Sequence, residues 1–197
     1  VTLDKMSRLT LELDSPRPYH RTEPYGGSTH NYDSYWGLMD LDVTLRLESP
    51  FLGEFGFASS PNIESVQRYL GEDEKDLWPV PQYCSFTHHT PIFNEKSRIT
   101  AYRDMYYLSN HVEEFCSSDT MASWILGTQM VQATGVRHTL ERNRTRWPES
   151  TGICYYKFTD VNPACSWSTV DYYGVPKLSY DVLADSYEPL AAYAIFD

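Results

Sequence analysis

The apolar and polar positions of the chain predict strands that alternate with helices. Residues 50–57 and 152–158 are apolar almost throughout, which is typical of parallel strands covered on both faces. Two shorter runs, residues 17–24 and 35–38, predict two further strands. Strands this apolar, separated by helical segments, predict an α/β fold with a parallel sheet.

Helical spacing and helix boundary residues predict the segments between the strands. Residues 1–13 have the pattern of the end of a helix, because the prolines at 16 and 18 disfavour helix there. Ser60 and Pro61 have the residue types of an N-cap and a first helical position. The remaining predicted helices span residues 98–115, 119–142 and 182–196, and a long loop spans residues 72–98.

Length and charge narrow the class of protein. A chain of 197 residues is long enough for one domain with its own core and short for two, so we expect residues 1–197 to form a single domain. The net charge of -11 argues against nucleic-acid and anionic-lipid partners. No apolar run reaches the length of a membrane span.

No motif points to a metal or a cofactor. The four cysteines lack C-x-x-C spacing, so neither a zinc site nor a disulfide scaffold is indicated. His88 and His89 are adjacent and point apart in an extended chain, without further ligands at helical spacing. Nucleotide-binding, esterase and metalloprotease motifs are missing from the sequence. We therefore expect no metal and no cofactor.

A single carboxylate, Glu54, interrupts the apolar run of residues 50–57. Placing an ionised carboxylate in an apolar strand is costly unless another group pairs with it. Glu54 is therefore either a member of a structural ion pair or a site residue at a strand end. Gly53 and Gly56 allow a ligand or other groups to come close to the backbone beside it.

Asp160 and several aromatic residues are further candidates for residues of a functional site. Asp160 follows the last predicted strand, and the carboxyl ends of strands build the active site of a (β/α) barrel, although Asp in this position also caps turns. Aromatic residues make up 15% of the chain, and they suit both sugar stacking and core packing. The aromatic candidates for a sugar-stacking wall are Trp36, Trp78, Tyr155, Tyr156 and Trp167.

Two segments resemble motifs of glycoside hydrolase family 2 β-mannosidases. Residues 53–61, GEFGFASSP, are similar to the family's SEFGFQSxP at the seventh barrel strand. Residues 152–174 are similar to its eighth strand and following loop, GxLYWQLNDxWPxxSWSxxDYYG. Weaker similarity links residues 13–19, LDSPRPY, to LDPTRPY at strand five, and residues 35–37, YWG, to HYWGVW near strand six.

The resemblance implies half of a (β/α)8 TIM barrel, strands five to eight, from a retaining exo-β-glycosidase. It implies that Glu54 is the nucleophile and that a second carboxylic acid protonates the leaving group and then activates water. In the family this acid belongs to an Asn-Glu pair after strand four, which we expect upstream of Val1. The pair Asn94-Glu95 follows the nucleophile and is in the wrong place.

The resemblance also implies a substrate-binding set, which includes Trp36 and Tyr156 as walls of the sugar subsite and Asp160 as a polar contact. Trp78 is a further substrate-binding candidate from the aromatic set. Three positions depart from the family pattern: Tyr156 and Asn162 replace tryptophans, and Thr159 replaces asparagine. Because of these changes, the sequence does not exclude β-galactoside, β-glucuronide and glucosaminide substrates as alternatives to β-mannosides.

We therefore expect two partners. One is a β-linked oligosaccharide or glycoside, and the other is a protein surface that covers the open barrel edges. A half barrel exposes sheet edges and an apolar inner face, so the remainder of a parent chain or a second copy must cover them. Two alternatives stay open. One is a complete small hydrolase in which Asp160 is the acid, and the other is a carbohydrate-binding or interaction domain derived from the barrel.

Overall fold

The computed structural model describes residues 2–14, 17, 19–34, 40–42, 48–80, 84–89 and 108–194. Helices α1 to α5 span Thr2–Leu13, Ile63–Val66, Ser85–His88, Met121–Thr145 and Leu178–Ser186. Strands β1 to β3 span Ser28–Asn31, Phe51–Phe55 and Gly152–Tyr155. A short 3-10 helix spans Val112–Glu114.

The strands form one parallel sheet in the order β1-β2-β3. β2 lies in the middle and pairs with β1 on one side and β3 on the other. Parallel neighbours require crossover connections, and the chain between β2 and β3 contains α2 to α4. The predicted α/β class with a parallel sheet is confirmed.

The core lies where the sheet meets the long helix α4. β2 contributes Leu52 and Phe55, which are 1% exposed, and α4 contributes Trp124, Val136 and Leu140, all at 2% or less. The helix begins after Thr120, whose hydroxyl accepts the backbone N–H of Ser123 in a capping box. The helix predicted over residues 119–142 is confirmed.

Other predictions need correction. Residues 19–24 do not form a strand. The first strand, β1, begins at Ser28, after a turn in which Gly26 and Gly27 have positive φ. The predicted strand at 35–38 lies outside the described residues. The described part of the sheet therefore has three strands, where the sequence predicted four.

Three helix boundaries also differ from their predictions. α2 begins after Asn62 rather than Ser60. Residues 98–107 are not described, and the helix predicted to continue through residue 115 is broken at His111, whose φ is 65°. The last helix, α5, ends at Ser186 and not near residue 196, because Pro189 cannot continue a helix and disfavours helix at the residue before it.

Helix α1 is the least covered element. None of its residues is buried, and Leu3, Met6 and Leu9 are about half exposed. None of the apolar side chains of this helix is buried within the part of the chain that is described. No described helix combines the length and apolar character needed to cross a membrane.

Candidate functional site

The carboxyl ends of the three strands bring three candidate side chains to one edge of the sheet. Glu54 is the penultimate residue of β2. Tyr32 follows the last residue of β1, and Tyr156 follows the last residue of β3. Because the strands are parallel, all three positions lie at the same end, which is where α/β folds build ligand sites.

Among the described residues, Glu54 is hydrogen-bonded and has no ion-pair partner. The Tyr32 hydroxyl donates a hydrogen bond of 2.6 Å to Glu54 Oε1. Within the described residues, no Lys, Arg or His lies within ion-pair distance of Glu54, and Oε2 makes no hydrogen bond. This part of the chain thus contains no structural salt bridge that would account for a carboxylate in an apolar strand.

Tyr32 is held in its protonated form. Burial raises the pKa of the Tyr32 phenol well above 10, and the hydrogen bond to Glu54 and the charge of that carboxylate raise the pKa further. The phenol therefore remains a donor across the neutral pH range. Among the described residues, this one donor orients one carboxylate oxygen and no donor engages the other.

An aromatic surface lies beside this pair. The ring of Trp167 meets Tyr32 edge-on at 6.3 Å between centroids and Tyr156 at 6.0 Å, and Tyr156 is 42% exposed. Gly56 permits this approach, because a Cβ there would lie 2.3 Å from the Tyr156 carbonyl oxygen and 3.0 Å from the Trp167 ring. Glycine at position 56 is therefore required by the contact between β2 and the residues after β3.

Asp160 belongs to a buried polar network. Its side chain is 1% exposed and is paired with the Lys157 amine at 2.9 Å. The hydroxyls of Ser166 and Ser168 donate hydrogen bonds of 2.5 Å to its two oxygens. Both carboxylate oxygens are thus engaged within the loop that follows β3, and Asp160 holds that loop in shape.

Lys177 is the most buried cation in the described chain. It is 2% exposed, and its amine donates hydrogen bonds of 3.0 Å to the carbonyls of Ser59 and Ser166. Burial lowers the pKa of the Lys177 amine from 10.5 to about 8, and the charge of Asp160 opposes this shift. Lys177 joins the segment after β2 to the loop after β3.

The lowered pKa of Lys177 predicts a pH dependence of stability. Between pH 8 and 10.5 the unfolded chain binds the proton more strongly than the folded chain, so the free energy of unfolding rises with pH. Across this window, we expect the free energy of unfolding of the wild type to rise by on the order of 3 kcal/mol more than that of a Lys177→Met variant. Urea unfolding of both proteins at several pH values measures it, and parallel pH curves would contradict it.

The other predicted substrate-binding residues lie elsewhere or are not described. The Trp78 indole N–H donates to the Ser118 carbonyl at 2.7 Å, and its ring packs against Trp124 at 5.5 Å, so Trp78 contacts the core beside α4. Trp36 lies outside the described residues, as does the pair Asn94-Glu95.

The histidine pair makes contacts of its own. Nδ1 of His89 is 2.6 Å from the Pro163 carbonyl oxygen, and its ring packs on Tyr69. Burial lowers the pKa of His89, so the ring is predominantly neutral at pH 7 and donates from Nδ1. In the described ranges, no group of three or more His, Cys, Asp or Glu residues could hold a metal ion.

Sequence reasoning did not identify Tyr32, Lys177 or the buried Gln132. The strand before Tyr32, Ser-Thr-His-Asn, is polar and gives no apolar signal. A lysine in a loop normally indicates exposure to solvent, and a glutamine within a helix has no distinctive spacing. The position of Tyr32 directly after a short strand was the only available signal, and it required the strand to be placed first.

Comparisons with known proteins support the predicted resemblance. No protein-family model matches the chain. The sequence is 26% identical over 196 residues to Beta-mannosidase B of Aspergillus niger, covering 92% of this chain and 22% of that protein. Beta-mannosidase B of Thermothelomyces thermophilus is 25% identical over 206 residues, covering 94% and 23%.

The comparison of folds also finds a β-mannosidase. The crystal structure of a beta-D-mannosidase from Dictyoglomus thermophilum matches with a TM-score of 0.74 and 26% identity, covering 91% of this chain and 22% of that one. The chain thus spans less than a quarter of the length of these relatives. Over about nine-tenths of its own length, the chain is β-mannosidase-like in both sequence and fold.

Proposed function

We propose that this chain is the C-terminal half of the catalytic barrel, strands five to eight, of a retaining exo-β-glycosidase of glycoside hydrolase family 2. The observation that carries the proposal is Glu54, a carboxylate at a strand end that accepts a hydrogen bond from Tyr32 and has no ion-pair partner among the described residues. A nucleophilic carboxylate needs an oriented oxygen beside a surface that binds sugar. Trp167 and Tyr156 provide such a surface.

In the proposed reaction, Glu54 attacks the anomeric carbon from the face opposite the leaving group. The bond from that carbon to the glycosidic oxygen breaks, and a second carboxylic acid, outside this chain, gives its proton to the departing oxygen. Water, deprotonated by the same carboxylate, then attacks the anomeric carbon and releases Glu54. Two inversions at one carbon give net retention.

Tyr32 has a defined part in this scheme. Its hydrogen bond at Oε1 fixes the carboxylate plane, so that Oε2 is presented to the sugar. Tyr156 and Trp167 form one wall of the proposed subsite, and Trp36 is proposed as another. Asp160 acts indirectly, because it holds the loop that carries Trp167 through Ser166 and Ser168.

The partner that completes the barrel is proposed to be the remainder of a longer parent chain. The relatives are more than four times as long as the region they share with this chain. The exposed apolar positions of α1 require a cover in water, and an upstream half barrel would provide one. A second copy of the chain is the other possible cover.

Product stereochemistry tests the proposed reaction class. The full-length polypeptide that carries this sequence is incubated with aryl β-mannoside, β-galactoside, β-glucuronide and N-acetyl-β-glucosaminide, and the anomer released first is identified by proton NMR. We expect turnover of the β-mannoside, with the β-anomer appearing first. An α-anomer appearing first would contradict retention, and sugar binding without turnover of any substrate would favour a carbohydrate-binding domain.

A further inference from the structure

Gln132 is a buried amide that joins four parts of the chain. It lies in the middle of α4 and is fully buried. Its side-chain nitrogen donates to the Phe57 carbonyl at 2.8 Å and lies 3.2 Å from the carbonyls of Trp167 and Ser168. The Tyr155 hydroxyl, also at 3.2 Å, is a further neighbour of this nitrogen.

The oxygen of the same amide is fully used. Ser59 donates to Gln132 Oε1 at 2.8 Å, and Ser179 of α5 donates to it at 2.7 Å. A buried amide that satisfies both its donor and acceptor groups is rigid, because any rotation leaves several polar groups without partners. Gln132 therefore fixes the positions of the groups around it.

These groups belong to the two segments that build the candidate site. Phe57 lies three residues after Glu54 on the continuation of β2, and Ser59 lies two residues after Phe57. Trp167 carries the ring that packs against Tyr32, which in turn donates to Glu54. The Gln132 amide is thus a direct bridge between the segment that bears the carboxylate and the segment that supports its donor, in addition to the Lys177 amine and the backbone hydrogen bonds between Ser59 and Ser166.

We propose that Gln132 is a positioning residue of the Glu54 site, which sets the spacing between the β2 extension and Trp167 and so holds Tyr32 in place to orient Glu54. The proposal rests on the proposed function, since it concerns the geometry of the nucleophile. Gln132 itself has no contact with Glu54 and acts only through Phe57 and Trp167.

The chain offers a matched control one turn earlier in α4. Gln129 is 3% exposed, and its amide bonds to the Ser60 carbonyl, the Asn62 side chain and the Leu178 backbone N–H. It is nearly as buried as Gln132, and it bonds to the segment after β2 and to the start of α5. Its contacts do not include Trp167 or Phe57, so loss of this amide removes hydrogen bonds without loosening the proposed bridge.

The experiment compares Gln132→Met with Gln129→Met in the full-length polypeptide. Methionine keeps the length of the side chain and removes all of its amide hydrogen bonds. We expect both variants to lose stability to a similar extent. We expect kcat on an aryl β-mannoside to fall about 10- to 100-fold in Gln132→Met, with KM changed less than about threefold, and to stay within about twofold of wild type in Gln129→Met.

A milder variant covers the case in which Gln132→Met does not fold. Ser179→Ala removes one of the two donors to Gln132 Oε1 and lies in α5. We expect a smaller fall in kcat, about threefold to tenfold, again with little change in KM.

The outcomes separate this inference from the proposed function. Equal kcat in Gln132→Met and Gln129→Met, or an unchanged kcat in Ser179→Ala when Gln132→Met is unfolded, would overturn the positioning role. Glu54→Gln is measured in parallel. If Glu54→Gln keeps full activity, the proposed function itself is wrong, whereas an inactive Glu54→Gln beside a fully active Gln132→Met rejects only the role of Gln132.

Discussion

Replacing Glu54 with glutamine in the full-length polypeptide is expected to lower kcat/KM for an aryl β-mannoside by at least about 10³-fold. Glutamine has nearly the same shape and can still accept the Tyr32 hydrogen bond, but its amide oxygen is a poor nucleophile. The loss therefore reports the chemistry of the carboxylate and not the packing of β2. Initial rates at matched concentrations of folded protein measure it.

The matched control is Glu64→Gln, an exposed glutamate in the first turn of α2, for which we expect wild-type rates. A second variant, Glu54→Ala, tests the role of Glu54 more specifically. Azide can enter the space left by the missing side chain, attack the anomeric carbon of an activated aryl β-mannoside and displace the phenolate. We expect the α-mannosyl azide, and unaltered hydrolysis by either Glu54 variant would contradict the assignment.

The second large effect concerns the 197-residue chain alone, which we expect to have no measurable glycosidase activity. The proposed proton donor belongs to a part of the barrel outside this chain, and the absence of general acid catalysis alone costs about 10²- to 10⁴-fold. Under the proposed function, the exposed apolar positions of α1 and the missing half of the barrel would further reduce the order of the site. The prediction is tested with an aryl β-mannoside at high protein concentration.

Complementation provides the control for that result. Mixing or co-expressing this chain with the separately produced upstream part of the same polypeptide is expected to restore turnover. The same mixture prepared with Glu54→Gln in this chain is expected to remain inactive. Turnover by the isolated chain that disappears on Glu54→Gln would contradict the expectation and favour a complete small hydrolase.

Strong apolar patterns made parts of the fold predictable from the sequence. The stripe of Met121, Trp124, Ile125, Val131 and Val136 is buried in α4, because five apolar side chains at helical spacing must face a core. The run around Glu54 became β2, which is partly buried in the same core. The run around Cys154 became β3, but none of its residues is fully buried and Cys154 is exposed, so the predicted cover on both faces is wrong for this strand. Each of these signals is local and depends on burial.

The missed features depend on contacts between segments distant in sequence. β1 is polar and only partly buried, so its pairing with β2, and with it the position of Tyr32, is not visible in a local pattern. Lys177 and Gln132 are buried because carbonyls and hydroxyls from several segments satisfy them. A sequence does not reveal such partners before the fold is known.

The same distinction applies to the candidate site. Glu54 could be singled out because a carboxylate in an apolar strand is unusual in itself. The sequence predicted Asp160 at the end of a strand, but β3 ends at Tyr155 and Asp160 lies in the loop after it. Its enclosure by Ser166, Ser168 and Lys157 could not be foreseen. Trp78 has an aromatic side chain suited to sugar stacking, yet its contacts with Trp124 and Ser118 are set by the packing of α4.

Covalent trapping tests the central claim most directly. The full-length polypeptide is incubated with 2-deoxy-2-fluoro-β-mannosyl fluoride, whose fluorine at C2 slows release of the sugar from the enzyme, and is then digested and analysed by mass spectrometry. The account predicts a fluoromannosyl group on the carboxylate of Glu54, with no labelling of Glu54→Gln. A label on another carboxylate, with Glu54 unmodified, would contradict it.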